Sequence, residues 1–184
     1  MSTRKALGLT GIVLVALGIA ALPVLAQSPT YGVGRAPTPE EIKAWDIAVG
    51  PDGKELPPGR GTAAEGQAVY ASRCAACHGA TGKEGPQDIL VGGQGTLNTS
   101  EPLKTIGSYW PYATTIWDYI DRAMPFDKPG SLTPEEAYQV TAYLLYLNGI
   151  IGEHDVIDAT TLPQVKMPNR NGFTRDPRPD VGKP

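Results

Sequence analysis

The sequence predicts a small all-α domain with long irregular extensions at both ends. Hydrophobic residues recur at helical spacing in three core stretches, two of them opened by a capping signature. No stretch alternates apolar and polar residues as a half-buried strand would. The flanks, residues 27–61 and 150–184, are Pro- and Gly-rich or polar and almost wholly aperiodic.

The chain has 184 residues. Its first 26 open with Arg4 and Lys5, continue as an apolar run from Ala6 to Leu25, and close Val24-Leu25-Ala26 before Gln27. A basic start, an apolar middle and a small-residue boundary read as a secretory signal peptide. The run is long for that purpose, which leaves an uncleaved N-terminal anchor as the alternative, but Pro23 and the Ala26 boundary favour cleavage. The expected location is the periplasm, with no membrane span after residue 27. Loss of Arg4 and Lys5 takes the net charge from −3 to −5. An acidic chain is a poor candidate for nucleic-acid binding, which needs a basic footprint. With two cysteines, Cys74 and Cys77, this exported chain does not rest on a disulfide framework.

Within the extension 27–61, Thr38-Pro39-Glu40-Glu41 reads as N-cap, first-turn proline and acidic first turn of a short helix through Ile42 and Trp45. The core domain is expected at 62–149. Thr62-Ala63-Ala64-Glu65 has capping-box spacing, and Gly66, Val69, Tyr70 and Arg73 continue the helix to Cys74. Residues 79–111 are glycine-rich and read as loop. Ile116, Ile120 and Ala123 mark a second helix from about Ala113, ended by Pro125. Thr133-Pro134-Glu135-Glu136 opens the third, which carries Val140, Tyr143, Leu144 and Leu147 to a stop at Asn148-Gly149. Gly66 and Tyr70 opposite Tyr143 and Leu144 predict a close helix crossing, with glycine admitting an aromatic ring. Residues 150–184 form a Pro-rich C-terminal arm.

The chemistry concentrates in Cys74-Ala75-Ala76-Cys77-His78 at the end of the first core helix. Two thiols three positions apart can each add across a haem vinyl group, and the adjoining histidine is then held beneath the iron as proximal ligand. In so small a domain, one covalently attached haem c would supply much of the core. A thioredoxin-like dithiol would need a βαβ context, which is missing. A zinc site would have to combine Cys74, Cys77, His78 and the remote His154 without zinc-finger spacing.

For the sixth ligand the candidates are Met124, Met167 and His154. Met124 precedes Pro125 at a helix end with the last helix still to come, an order that lets a loop press its sulfur onto the distal haem face. Met167, in the polar tail beyond the last helix, reads instead as a surface anchor for the arm. Met/His ligation raises the haem potential and closes the iron to small molecules, which suits electron transfer rather than a haem enzyme such as a peroxidase. The carbonyl of Pro86, in the Gly85-Pro86 turn, is the expected acceptor for the His78 ring N–H. Trp110, ahead of Tyr112 and Trp117, is the expected contact for a haem propionate.

These residues resemble class I cytochrome c: a helix ending in Cys-x-x-Cys-His, a Gly-Pro loop, an axial Met-Pro and a C-terminal helix. A closer resemblance spans most of the mature chain. Residues 42–47 (Ile-Lys-Ala-Trp-Asp-Ile), Leu90-Val91-Gly92-Gly93, the run from Ile106 to Thr115, Arg122-Ala123-Met124-Pro125 and the tail around Lys166-Met167-Pro168-Asn169-Arg170 are similar to the cytochrome subunits of bacterial molybdenum sulfite dehydrogenases. They are equally similar to the haem domain of the sulfane dehydrogenase of the Sox system. The resemblance implies a non-catalytic, electron-accepting subunit. It would take electrons from a molybdenum-cofactor sulfite or sulfane dehydrogenase and pass them to a downstream cytochrome or oxidase. Sulfane dehydrogenase cytochromes commonly carry a second haem domain and this chain has one Cys-x-x-Cys-His, which inclines the reading toward the sulfite type. Both arms are expected either to dock on the partner or to wrap their own core.

Overall fold

The computed structural model describes residues 31–178, so the signal-peptide reading lies outside the described residues. The described chain divides into two units, 31–42 and 43–178. The first contains the start of helix α1 (Pro39–Trp45). Its N-terminus is closed as the capping box requires: Thr38 N–H donates to the Glu41 carboxylate at 2.8 Å and the Thr38 hydroxyl accepts from Glu41 N–H at 3.2 Å. Every residue from 31 to 48 is exposed.

The second unit is built on α2 (Ala63–Arg73), α3 (Ala75–His78), α4 (Ala113–Ala123) and α5 (Pro134–Leu147). Both predicted capping boxes form, Thr62 with Glu65 and Thr133 with Glu136. The helices, none longer than 14 residues, are too short to hold on propensity alone, and they find tertiary support in each other. The predicted crossing of α2 and α5 is present. Gly66 lies on the Gln139 carbonyl and the Tyr143 Cβ, and the Tyr70 and Tyr143 rings stand 5.2 Å apart. Helix α4 packs on the same α5, with Trp117 and Tyr138 5.4 Å apart and both fully buried.

Around this core runs a belt of irregular chain. Val49 and Leu56 are buried, and the strap between them is tied down by hydrogen bonds from Val49 N–H to the Asp118 carboxylate (2.7 Å), from the Thr114 hydroxyl to the Pro51 carbonyl (3.2 Å) and from the Tyr138 hydroxyl to the Pro57 carbonyl (2.9 Å). Burial pushes the Tyr138 phenol up to about 12, so it stays a donor. Two short strands, β1 (Arg60–Gly61) and β2 (Ile157–Asp158), then pair antiparallel, Arg60 opposite Asp158 and Gly61 opposite Ile157. The sequence predicts no strand here, because two-residue strands are too short to show alternation.

Beyond β2 the chain continues along the core. Ile157, Leu162 and Met167 are buried, Asn169 donates to the Tyr109 carbonyl at 2.7 Å, and Arg170 lies 5.0 Å over the Tyr112 ring. Residues 49–61 and 150–170 therefore wrap their own core. Among the described residues, no helix is long and apolar enough to cross a membrane.

Candidate haem site

Cys74 ends α2 and begins α3. Its N–H bonds back to the Tyr70 carbonyl at 2.9 Å, while its own carbonyl accepts from Cys77 N–H at 3.1 Å and His78 N–H at 3.0 Å. One tight turn thus holds both thiols and the histidine, and residues three apart on a helical turn share a face. Cys74 and Cys77 are free of any disulfide. Cys77 is exposed and Cys74 half-buried. Burial, helped by Cys77 and opposed by Arg73, pushes the Cys74 thiol up to about 11, so at neutral pH it is the neutral thiol.

Gly79 leaves the turn with φ +81, and its carbonyl accepts the Tyr70 hydroxyl at 3.0 Å. Burial raises the Tyr70 phenol to about 12, keeping that donor protonated. The chain then folds back on the Cys-x-x-Cys-His turn. Gly85 sits so close to the Cys77 carbonyl that a Cβ would overlap it, and Gln87 N–H donates to the same carbonyl at 3.0 Å.

This folding back brings the Asp88 carbonyl 2.9 Å from His78 Nδ1. A carbonyl can only accept, so Nδ1 carries the proton and Nε2 keeps its lone pair. The acceptor is thus Asp88 and not Pro86, as the sequence suggested. Pro86 is exposed, and the Gln87 bond to Cys77 turns the chain so that the carbonyl two residues later meets the ring.

Met124 caps the C-terminus of α4, its N–H on the Ile120 carbonyl at 3.1 Å, and is half-buried. Met167, expected as a surface anchor for the arm, is instead 3% exposed inside the apolar core, because the arm folds back over the helices there. His154 is exposed. Trp110 is half-buried with its ring edge-on to Tyr119 at 5.7 Å. Trp117 is buried with an unpartnered N–H and faces Tyr138.

Asn148 plays a part that its sequence position as a helix stop does not reveal. Its side chain accepts from Gly92 N–H at 3.0 Å and donates to the Leu90 carbonyl at 3.2 Å and the Leu144 carbonyl at 2.9 Å. The Gln94 side chain adds a bond to the Asn148 carbonyl at 3.1 Å. A buried amide with its partners satisfied pins the loop after Asp88 to the end of α5. Two free thiols in one turn, an imidazole with Nε2 left open and a half-buried thioether at a helix end fit the donor chemistry of a haem.

The family described as cytochrome c oxidase, cbb3-type, subunit III matches residues 61–144, which take in α2, α3, α4 and most of α5. None of the curated proteins matches the chain. Among solved structures, a chain of the sulfane dehydrogenase SoxCD from Paracoccus pantotrophus is similar, with 44% sequence identity and a TM-score of 0.73. That match covers 84% of this chain and 80% of the other, which is too much to fit within 61–144, so both flanking arms take part in it.

Proposed function

The chain belongs to the c-type cytochromes, and on that premise we propose that it is the electron-accepting subunit of a molybdenum dehydrogenase that oxidises sulfane sulfur. Haem c, attached through Cys74 and Cys77, supplies a one-electron couple. His78 presents Nε2 as proximal ligand, with its ring orientation fixed by the Asp88 carbonyl. Met124 would supply the second protein ligand, a thioether that would exclude small molecules and raise the potential.

The observation that carries the partner reading is the 44% identity to a SoxCD chain, extending through both arms. It favours the sulfane over the sulfite type. With 80% of the matched chain covered, the number of haem domains no longer argues for sulfite. Because residues 49–61 and 150–170 are occupied with their own core, docking falls to the exposed ends of the arms, above all segment 31–48 with its exposed Ile42, Trp45 and Ile47.

The test is native purification from periplasm with whatever partner accompanies the chain, followed by visible spectra after addition of a persulfide donor and, separately, of sulfite. Haem reduction by the persulfide alone is the expected result. Reduction by sulfite alone would assign the sulfite type. Reduction by neither, with chemical reduction intact, would overturn the partner reading and leave a free electron carrier.

A further inference from the structure

Thr114, Asp118 and Arg122 follow one another at four-residue spacing along α4 and so line one face of the helix. Each is engaged. The Thr114 hydroxyl holds the Pro51 carbonyl, and the Asp118 carboxylate accepts from Val49 N–H at 2.7 Å. The same carboxylate accepts from Arg122 Nε at 2.8 Å and from a second guanidinium N–H. Asp118 is 7% exposed, so its charge depends on these partners. Arg122 lies in the last turn of α4, and Met124 caps that turn.

We propose that Asp118 is a positioning residue for Met124, fixing the last turn of α4 against the strap that begins at Val49. The proposal rests on Met124 as the sixth ligand. Charge-assisted bonds are directional, and Asp118 satisfies both its backbone and its guanidinium partner at one setting of that turn. Unwinding or rotating the turn to swing the Met124 sulfur away pulls Arg122 off a buried carboxylate. The same carboxylate joins the sixth-ligand turn to the root of the exposed N-terminal segment, two elements 69 positions apart in the chain.

The experiment uses full-length holoprotein carrying Asp118→Asn, Arg122→Gln or, as a control, Glu136→Ala, which removes the side chain that accepts from Thr133 N–H in the cap of α5. The readouts are imidazole binding to the oxidised haem, the sulfur-to-iron charge-transfer band during heating, and helix content by circular dichroism. Imidazole competes with Met124 for the iron. The two α4 variants should bind it at least about tenfold more tightly, the scale of one hydrogen bond to a charged group. They should also lose the band while helix content persists. Glu136→Ala should lower the unfolding temperature and leave imidazole affinity at the parent value.

Parent-like imidazole affinity in both α4 variants, with a lowered unfolding temperature, would make Asp118 a clamp for the strap alone and overturn the proposal. If Asp118→Asn does not accumulate, Arg122→Gln decides on the same readouts. Met124→Leu separates the premise from the inference. A charge-transfer band that survives in Met124→Leu refutes the ligand assignment, whereas its loss there with unaltered Asp118→Asn and Arg122→Gln refutes the positioning role.

Discussion

Gly66 of α2 rests against the backbone carbonyl of Gln139 in α5, with no space for a side-chain carbon between them. The crossing brings Tyr70 onto Tyr143 directly ahead of the Cys-x-x-Cys-His turn. Gly66→Ala should therefore push the helices apart and cost about 1–3 kcal/mol, as overpacking of a filled core does. Denaturant unfolding of the holoprotein measures it. An unchanged midpoint would mean that α2 shifts along α5 at little cost.

The two internal methionines should respond oppositely to substitution. Met124→Leu should abolish the sulfur-to-iron charge-transfer band and lower the potential, since a thioether ligand raises it. Met167→Leu should keep the band and cost less than about 1.5 kcal/mol, because the exchange conserves volume in an apolar site. A spectrum lost in the second variant and kept in the first would exchange the two roles.

Acid should loosen the strap at Val49. Burial alone would raise the Asp118 carboxyl, but the Arg122 guanidinium and the Val49 N–H pull it below the ordinary aspartate range. A depressed folded value means that this stabilisation is complete above the ordinary value of about 3.9 and fades as pH falls through the lower folded one. Hydrogen exchange at the Val49 amide, corrected for intrinsic rates, should accelerate in that window. A flat profile there would show that Arg122 holds Asp118 without the strap.

Trp45→Ala and Leu162→Ala test the division of labour between the arms. Trp45 is 87% exposed, so its removal should change stability by less than about 0.5 kcal/mol. It should still weaken binding to the catalytic subunit. Leu162 is fully buried, and its truncation should cost about 2–5 kcal/mol whether or not a partner is present. Equal binding by the Trp45 variant and the parent would remove segment 31–48 from the interface.

Features carried by local chemistry were legible in the sequence. Thr62 with Glu65 and Thr133 with Glu136 are three apart, so their capping boxes can be read directly, and the α2–α5 crossing follows from a glycine facing an aromatic ring. The thiols and histidine of the haem motif form one turn, as their spacing requires. What escaped depends on distant chain meeting. Asn148 reaches Leu90 and Gly92 across 58 and 56 positions, and nothing in a helix-ending Asn-Gly signals that. The acceptor for His78 lies two residues beyond Pro86, because the path of the loop is decided by how Gly85 packs on the Cys77 carbonyl.

The β1–β2 ladder joins residues almost a hundred positions apart, while the pieces it encloses, from Thr62 to Asn148, contain all four helices of the core unit. That separation sets an order of events. Closing so long a loop is entropically costly until the helices have already brought its ends near, so the belt fastens last in folding and opens first in unfolding. The protein should then pass through a sub-global opening in which Ile157, Leu162 and Met167 meet solvent while α2, α3, α4 and α5 stay together. In such a state the vulnerable points are the belt's own peptide bonds, so brief proteolysis of the native protein would trim it to the helical kernel with its Cys-x-x-Cys-His turn intact.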